Sequence, residues 1–407
     1  MIRPYVSLTV SQKAEKSIKN GHPWVYADEV TEISWAYKNG DIVDVRSGKG
    51  RYLGSGFVND NSKIRVRIIS RNANDKFDEA FFERRINYSL DYRKTVMNHD
   101  FKCCRLIFGD SDGFPGLIVD RFSNVLVAQV LSYGIDIRKD MIFTLLVNAL
   151  RERGETIDAL YERNDAPTRS KEGLERYKDF WHSEITRDDI PGTVVIMENS
   201  IKYCVDFING QKTGFFLDQK YNRAAAARIA HGKKVLDCFT HTGSFALNCA
   251  KAGAQSVTAV DISSDALDMA KANAKLNSLE KNMSFVCTDV FDLLTEMSSK
   301  GKCDYDYIIL DPPAFTKSNS TVANAYKGYK DINIRAMKVL PRGGYLATCS
   351  CSHFMTDGLF KKMLHEAAAD AGVSLRQIEH RQQSCDHPIL WNVPETDYLK
   401  FYIFQIV

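Results

Sequence analysis

Cys349 and Cys351 stand two residues apart in the string Ala347-Thr348-Cys349-Ser350-Cys351-Ser352-His353, where a run of strand-forming residues gives way to hydroxyls. A lone buried cysteine usually behaves as a small apolar residue. A pair at a strand end, among hydroxyls and beside a histidine, is different, because a thiol there can lose its proton and act as a nucleophile. Alternation along an ideal strand puts both thiols on one side, so spacing leaves the choice between them open.

Carboxylates form the second set. Asp237 and Asp261 end the strand-like runs Val235–Asp237 and Val257–Asp261, and Asp289 follows the run Ser284–Cys287. Doubly wound sheets bind ligands at the carboxyl ends of their strands, beside the first crossover. The turn after Asp237 contains Thr242-Gly243 and is the natural floor of such a site. One glycine does not make the three-glycine dinucleotide fingerprint, so a pyrophosphate is disfavoured there. A carboxylate at Asp261 can accept both hydroxyls of a ribose, and one at Asp289 can accept from an exocyclic amine. The plainer alternative for Asp261 is a helix cap, since Ser263 and Ser264 precede the next helical run.

Two further strings belong with these. In Leu310-Asp311-Pro312-Pro313-Ala314-Phe315 the prolines stop a strand and stiffen the loop, which holds Asp311 at the crevice mouth. In Gly210–Arg223, the residues Asp218, Gln219, Asn222 and Arg223 crowd one helical turn ahead of the first buried strand. An ordinary capped and solvated first turn would look the same.

The elements that must position these groups follow from periodicity. From about Gly192 the chain alternates strand and helix, which predicts an α/β fold with a mostly parallel sheet covered on both faces. The predicted strands are Val235–Asp237, Val257–Asp261, Ser284–Cys287, Tyr307–Leu310, Tyr345–Thr348, Ser374–Ile378 and Leu399–Ile406. Upstream, Gln12–Asn20 reads as a helix capped by Ser11, followed by strands at Ile42–Val45, Leu53–Val58 and Ile64–Ile69. Helix Glu79–Met97 and strands at Arg105–Phe108, Gly116–Asp120, Val125–Val130 and Ile157–Glu162 then suggest an α+β region, with another helix near Ile137–Arg153. The expected division is 1–72, 73–190 and 191–407. A chain of 407 residues calls for two or three domains at roughly 100–200 residues each.

Composition excludes several classes. With 44% apolar and 26% charged residues the chain is ordinary globular protein rather than disordered, collagenous or repetitive. No apolar run approaches the ~20 residues that span a bilayer, and Met1–Tyr5 lacks the apolar stretch of a signal peptide. Ten cysteines without zinc-type spacing fit reduced thiols in a cytoplasm, and no metal is implied. The net charge of +3 names no partner, but residues 1–72 hold 12 Lys+Arg against 7 Asp+Glu, net +5. A phosphate-binding patch would sit there.

Together these segments resemble a class I S-adenosylmethionine (SAM)-dependent methyltransferase, and more narrowly the large-subunit ribosomal RNA 5-methylcytosine methyltransferases that carry an N-terminal PUA domain. The resemblance covers nearly the whole chain. His22-Pro23-Trp24-Val25-Tyr26 with Gly40-Asp41-Ile42-Val43 resembles the PUA module, and Arg105–Ile107 through Asp112–Arg121 resembles the family's central domain. Gly210–Arg223, Asp237–Phe245, Asp311–Phe315 and Ser350-Cys351-Ser352 match the catalytic blocks.

What the resemblance implies is a β-rich PUA domain, a central α+β domain and a seven-stranded Rossmann-like catalytic domain in a cytoplasmic enzyme. SAM would be its cofactor and large-subunit rRNA its partner, with no membrane and with a homodimer as one assembly open to it. Asp237, Thr242 and Gly243 would lie along the methionine part of SAM, Asp261 on the ribose and Asp289 by the adenine amine. Gln219, Asn222, Arg223 and Asp311 would complete the pocket. The Ser-Cys-Ser match favours Cys351 as the nucleophile, while Cys349 matches the Thr-Cys-Ser of other RNA cytosine methyltransferases. Those relatives carry a cysteine straight after the first proline of the Asp-Pro-Pro region, which this chain lacks, so another base must take the C5 proton. Asp311 would hydrogen-bond N3 of the cytosine, and Phe315 would stack on the extruded base. The rival targets are a base amine or a ribose hydroxyl, and a non-catalytic RNA-binding assembly factor is the rival class. Amine methylation normally follows Asp-Pro-Pro with an aromatic, where this chain has Ala314.

Overall fold

The computed structural model describes residues 3–300, 304–316 and 318–407, and these form two compact units. The first comprises Met1–Val195, Val205–Leu217 and Cys385–Thr396; the second comprises Ile196–Cys204, Asp218–Ser384 and Asp397–Val407.

In the first unit a six-stranded sheet runs in the order Trp24–Tyr26, Ile64–Ser70, Tyr52–Val58, Ile42–Ser47, Val6–Val10, Val30–Ile33. Helix Gln12–Lys19 starts where Ser11 Oγ accepts the Ala14 amide at 3.3 Å, and it buries Ala14 and Ile18 with Leu8, Val43 and Val66. Two strands of this sheet were not legible. Val30–Ile33 is an edge strand with three of its four residues exposed, so burial imposes almost no pattern on it. Val6–Val10 pairs parallel to Ile42–Ser47, a long-range contact that no turn announces.

A five-stranded sheet follows, in the order Tyr177–Phe180, Ala159–Asn164, Val125–Val130, Leu117–Phe122, Cys103–Phe108. Helices Glu79–Met97 and Lys139–Glu152 belong to the same unit, and Asp78 caps the former through the Phe81 amide. Val125–Val130 and Ala159–Asn164 are buried at every residue. The charged letters of the central string are spent on this architecture. Arg105 grips Asp120 at 2.7 and 2.8 Å, Thr213 Oγ1 donates to the same carboxylate at 2.6 Å, and Arg93 holds Asp112.

The second unit carries the seven expected strands, each within two or three residues of its predicted limits. Along the chain they are Lys234–Cys238, Ser256–Asp261, Met283–Cys287, Tyr307–Leu310, Tyr345–Ser350, Leu375–Arg381 and Lys400–Ile406. Counted in that order, the sheet reads 3-2-1-4-5-7-6, with the seventh strand antiparallel to its neighbours. Apolar side chains cover both faces. Leu236, Ile308, Leu346 and Phe360 lie in one buried cluster, and Val235, Val257, Ile309 and Ala347 in the other. The near-continuous apolar strands were readable for that reason. The strand order reverses between the first and fourth strands, and a ligand crevice opens where such a reversal occurs.

Candidate functional site

Register brings the predicted groups together. Cys238 pairs with Val260 and Leu310, and Leu310 pairs with Thr348, so the first, second, fourth and fifth strands reach the same edge of the sheet, the second running one residue and the fifth two residues further. One residue further on lie Asp311 and Cys349, and the Cys349 thiol donates to Asp311 Oδ1 at 2.9 Å and to the Leu310 carbonyl at 3.2 Å.

The turn after the first strand is built around Asp237. Its Oδ2 accepts Thr240 Oγ1 at 2.5 Å and the Ala246 amide at 2.9 Å, while Oδ1 is buried without a partner. Burial pushes this carboxyl up to about 7, against an ordinary 3.8. Phe239, His241 and Gly243 all take the left-handed backbone conformation, at φ 62, 50 and 81°. Two non-glycine residues held there store strain of the kind that tight binding turns carry. Gly243 is required by the backbone itself: a Cβ would also meet the Ala270 Cβ at 3.0 Å. Gly243→Ala is therefore expected to cost about 1–2 kcal/mol, read as a lower thermal midpoint together with weaker SAM binding.

The other acids of the sheet sit in turns. Asp261 accepts the His241 amide at 2.9 Å and the Ser263 amide at 3.0 Å, one on each oxygen. The helix cap beyond it is Ser263, whose hydroxyl accepts the Ala266 amide. Asp289 accepts the Phe291 and Asp292 amides at 2.7 and 3.2 Å through Oδ1 alone, as the cap of helix Val290–Lys300.

Asp311 lies at the centre of a polar chain. Gln219 Nε2 donates to Asp311 Oδ1 at 3.1 Å and approaches Cys349 Sγ at 3.5 Å, and Asn222 donates to Gln219 Oε1 at 2.7 Å. Arg381 then donates to Asn222 Oδ1 at 3.2 Å. Burial raises Asp311 to about 6 and pushes the Cys349 thiol well above its usual value. Arg223 has a different task. Glu198 takes its Nε and Nη2 at 2.7 and 3.0 Å, both side chains are buried, and Nη1 reaches Ser244 Oγ at 3.4 Å. The ion pair braces the helix that starts at the Gly243 turn. Its carboxylate half, Glu198, lies in the hairpin Thr193–Glu198/Ile201–Asp206, for which the sequence offered no chemical motif.

Cys351 stands beyond the fifth strand and is half-buried, whereas Cys349 is fully buried. Phe315 packs against Tyr329 with ring centroids 4.5 Å apart and against Phe291 at 6.3 Å. The ring expected to stack on a base is part-buried there. Lys400 is a residue that motif reading missed: it is 2% exposed, and its Nζ donates to the carbonyls of Ser352 and Tyr398 at 2.6 and 2.9 Å. The available signal was a lysine opening an otherwise apolar strand, Lys400–Ile406.

The residues present fit a cationic, nucleoside-bearing ligand. Asp237 Oδ1 and Thr242 Oγ1 are buried without partners in the turn, and Asp261 ends the neighbouring strand. Among the described residues no group of His, Cys, Asp and Glu is arranged to hold a metal, and no helix is long and apolar enough to cross a membrane.

Comparison with known proteins agrees with this architecture. Residues 8–71 match the PUA-like domain family, and residues 161–404 match the S-adenosylmethionine-dependent methyltransferase family. Two full-length relatives, from Pseudoalteromonas atlantica and Shewanella amazonensis, are each named ribosomal RNA large subunit methyltransferase I. They are 40% and 41% identical, over 98% and 96% of this chain and 99% and 97% of theirs. A SAM-dependent methyltransferase from Streptococcus mutans shares the fold at a TM-score of 0.81 and 23% identity, over 98% of this chain and 99% of that one. A methyltransferase solved with SAH gives a TM-score of 0.83 at 22% identity with the same coverage.

Proposed function

Since the chain belongs to the S-adenosylmethionine-dependent methyltransferase family, carries a PUA-like domain and matches proteins named ribosomal RNA large subunit methyltransferase I along its length, we propose that it methylates C5 of a cytosine in large-subunit rRNA. The nucleophile in this reading is Cys351, which adds to C6 of the base. The observation that carries it is the thiol pair at the end of the fifth strand, with Asp311 level beside it at the mouth of the cofactor crevice.

Cytosine C5 is a poor nucleophile until a thiolate adds to C6 and turns the ring into an enamine. SAM supplies the electrophilic methyl group. The carboxyl of Asp311, raised to about 6, donates a hydrogen bond to N3 when protonated and so stabilises charge that builds there as the C6–S bond forms. Removal of the C5 proton then restores the double bond and expels the thiolate. Asp237 and Thr242 hold the methionine end of the cofactor, Asp261 the ribose, and the Asp289 Oδ2 left over from its cap the adenine amine. Gln219 and Asn222 hold Asp311 in place, and Arg223 acts at one remove by bracing the turn through Ser244. Cys349 completes the Asp311 network rather than attacking.

The first unit supplies a surface for RNA. A cleft of about 910 Å³ there is lined by Arg71, Arg84, Arg85 and the exposed Tyr88. Its carboxylates are occupied, Asp110 by Trp24 Nε1, Asp112 by Arg93 and Asp75 by Arg84 at 3.2 Å. Arginines beside exposed rings suit phosphates and unstacked bases. The division at 72 and 190, a cytoplasmic location and assembly up to a homodimer are parts of the same reading. Incubating large-subunit rRNA with methyl-labelled SAM and digesting it to nucleosides is expected to place the label in 5-methylcytidine. Label in a base amine or a ribose hydroxyl would overturn the reading.

A further inference from the structure

Arg381 ends the sixth strand, and its Nε donates to Asn222 Oδ1 at 3.2 Å. A chain of hydrogen bonds runs from that contact to the acid at the crevice mouth. Asn222 Nδ2 donates to Gln219 Oε1 at 2.7 Å and to the Gln382 carbonyl at 3.2 Å, and Gln219 Nε2 donates to Asp311 Oδ1 at 3.1 Å. Both amides are buried.

An amide side chain can turn over and exchange donor for acceptor, so something must fix which end faces the acid. The far end of the chain does so. A guanidinium only donates and a backbone carbonyl only accepts, so Arg381 and Gln382 together hold Asn222 with its oxygen towards the arginine. Asn222 then presents N–H to Gln219, whose own N–H is thereby turned to Asp311. Glu379 lies 3.6 Å from Arg381 Nη1 and balances the cation without engaging Nε.

At Asp311 the donors converge on one oxygen. Cys349 Sγ donates to Oδ1 at 2.9 Å beside Gln219, and Oδ2 accepts no hydrogen bond among the described residues. An oxygen that already accepts twice is the poorer place for a proton, so a protonated Asp311 carries it on Oδ2. With Gln219 turned over, its Oε1 would face Oδ1 and draw the proton there.

We propose that Arg381 is a positioning residue for methyl transfer: through the Asn222 and Gln219 amides it keeps a donor on Asp311 Oδ1, which leaves the acid proton on Oδ2 to face N3 of the base. The inference rests on the reading of Asp311 as the group that meets N3. No bond to Arg381 changes in the reaction; it acts only by fixing the two amides.

Titration of Asp311 in the full-length chain, followed by carbon-13 NMR of aspartate-labelled protein and identified by its loss in Asp311→Asn, tests this without RNA. Burial raises this carboxyl to about 6; Asp218 and Asp237 oppose its ionisation further, while Cys349, Arg223 and Gln219 favour it. Loss of the Gln219 donor therefore moves the titration up. In Arg381→Met the midpoint is expected to rise by about half a unit or more. The same variant is expected to lower kcat about fivefold or more, with KM for rRNA within about twofold of wild type, and Arg381→Lys, which still donates, restores most of both. In an Asn222→Ala background the methionine substitution is expected to add nothing, since the chain is already cut there. A titration that stays in place in Arg381→Met, an unchanged kcat, or an effect that adds in full to Asn222→Ala would overturn the proposal. Thermal unfolding reports whether each variant folds; if the methionine variant does not, Arg381→Gln, whose side chain is no longer an obligate donor, is read in its place. Asp311→Asn methylating at the wild-type rate would instead remove the role of Asp311 on the base, an outcome the titration reads separately.

Discussion

Cys351→Ala is expected to lower methyl transfer to rRNA by at least about 10³-fold while leaving SAM affinity within a few-fold of wild type. The two effects separate because the thiol acts on the base, whereas cofactor contacts are assigned to Asp237, Thr242 and Asp261 on the first and second strands. Calorimetry with SAM reads one and nucleoside analysis of labelled rRNA reads the other. Cys349→Ala should behave differently. Its thiol is fully buried, is pushed well above its usual value, and already donates to Asp311. Removing it leaves Asp311 Oδ1 with Gln219 as its remaining donor and shifts the pH profile, but the bond to C6 can still form. RNA carrying 5-fluorocytidine gives a sharper discriminator, because fluorine at C5 cannot leave as a proton and the adduct accumulates. The trapped complex is expected with wild type and with Cys349→Ala, and to be absent with Cys351→Ala. A trapped complex that persists in Cys351→Ala and vanishes in Cys349→Ala would exchange the two roles.

The difference between these cysteines shows what a sequence can and cannot carry. The strand was legible because Tyr345–Thr348 is apolar and bounded by Gly343-Gly344 and by hydroxyls. Alternation along it could not rank the thiols, since each faces the same side of an ideal strand. Register separates them. Thr348 lies opposite Leu310, so the next residue meets Asp311, and Cys351 falls past the last paired residue, Ser350. Such pairings join residues about forty positions apart and leave no local signature. Asp237 and Asp261 were legible for the opposite reason, being placed by the ends of apolar strands that composition marks. Arg223 was legible as a charged residue before a strand, but its partner Glu198 comes from a hairpin whose contribution is tertiary. Lys400 escaped because a lysine next to an apolar run ordinarily reads as the solvated start of a strand.

Asp237→Asn is expected to weaken SAM binding by about 30-fold or more, within the 2–5 kcal/mol that losing one side of a buried charge contact costs. It is also expected to stabilise the protein without ligand. The carboxyl is raised from 3.8 to about 7 by burial, so the folded state holds its proton more tightly than the unfolded chain. For an acid shifted upward, folding is unpenalised below pH ~4, loses stability as pH rises towards 7, and changes no further above it. Asparagine removes that loss, so the gain in melting temperature should be clear at pH 8 and nearly absent at pH 4. Ligand binding runs the other way. A cationic cofactor favours the ionised carboxylate, so below pH 7 binding must expel a proton, and wild-type affinity should rise up to about tenfold per pH unit between 6 and 7 before flattening. Asp311, near 6, adds a similar dependence at lower pH. In Asp237→Asn the rise between pH 6 and 7 should shrink to what Asp311 contributes. Wild-type SAM affinity that is level from pH 6 to 8 would mean that Asp237 does not face the cofactor's charge. The unpartnered Oδ1, the strained turn and the raised carboxyl would then be features of folding alone.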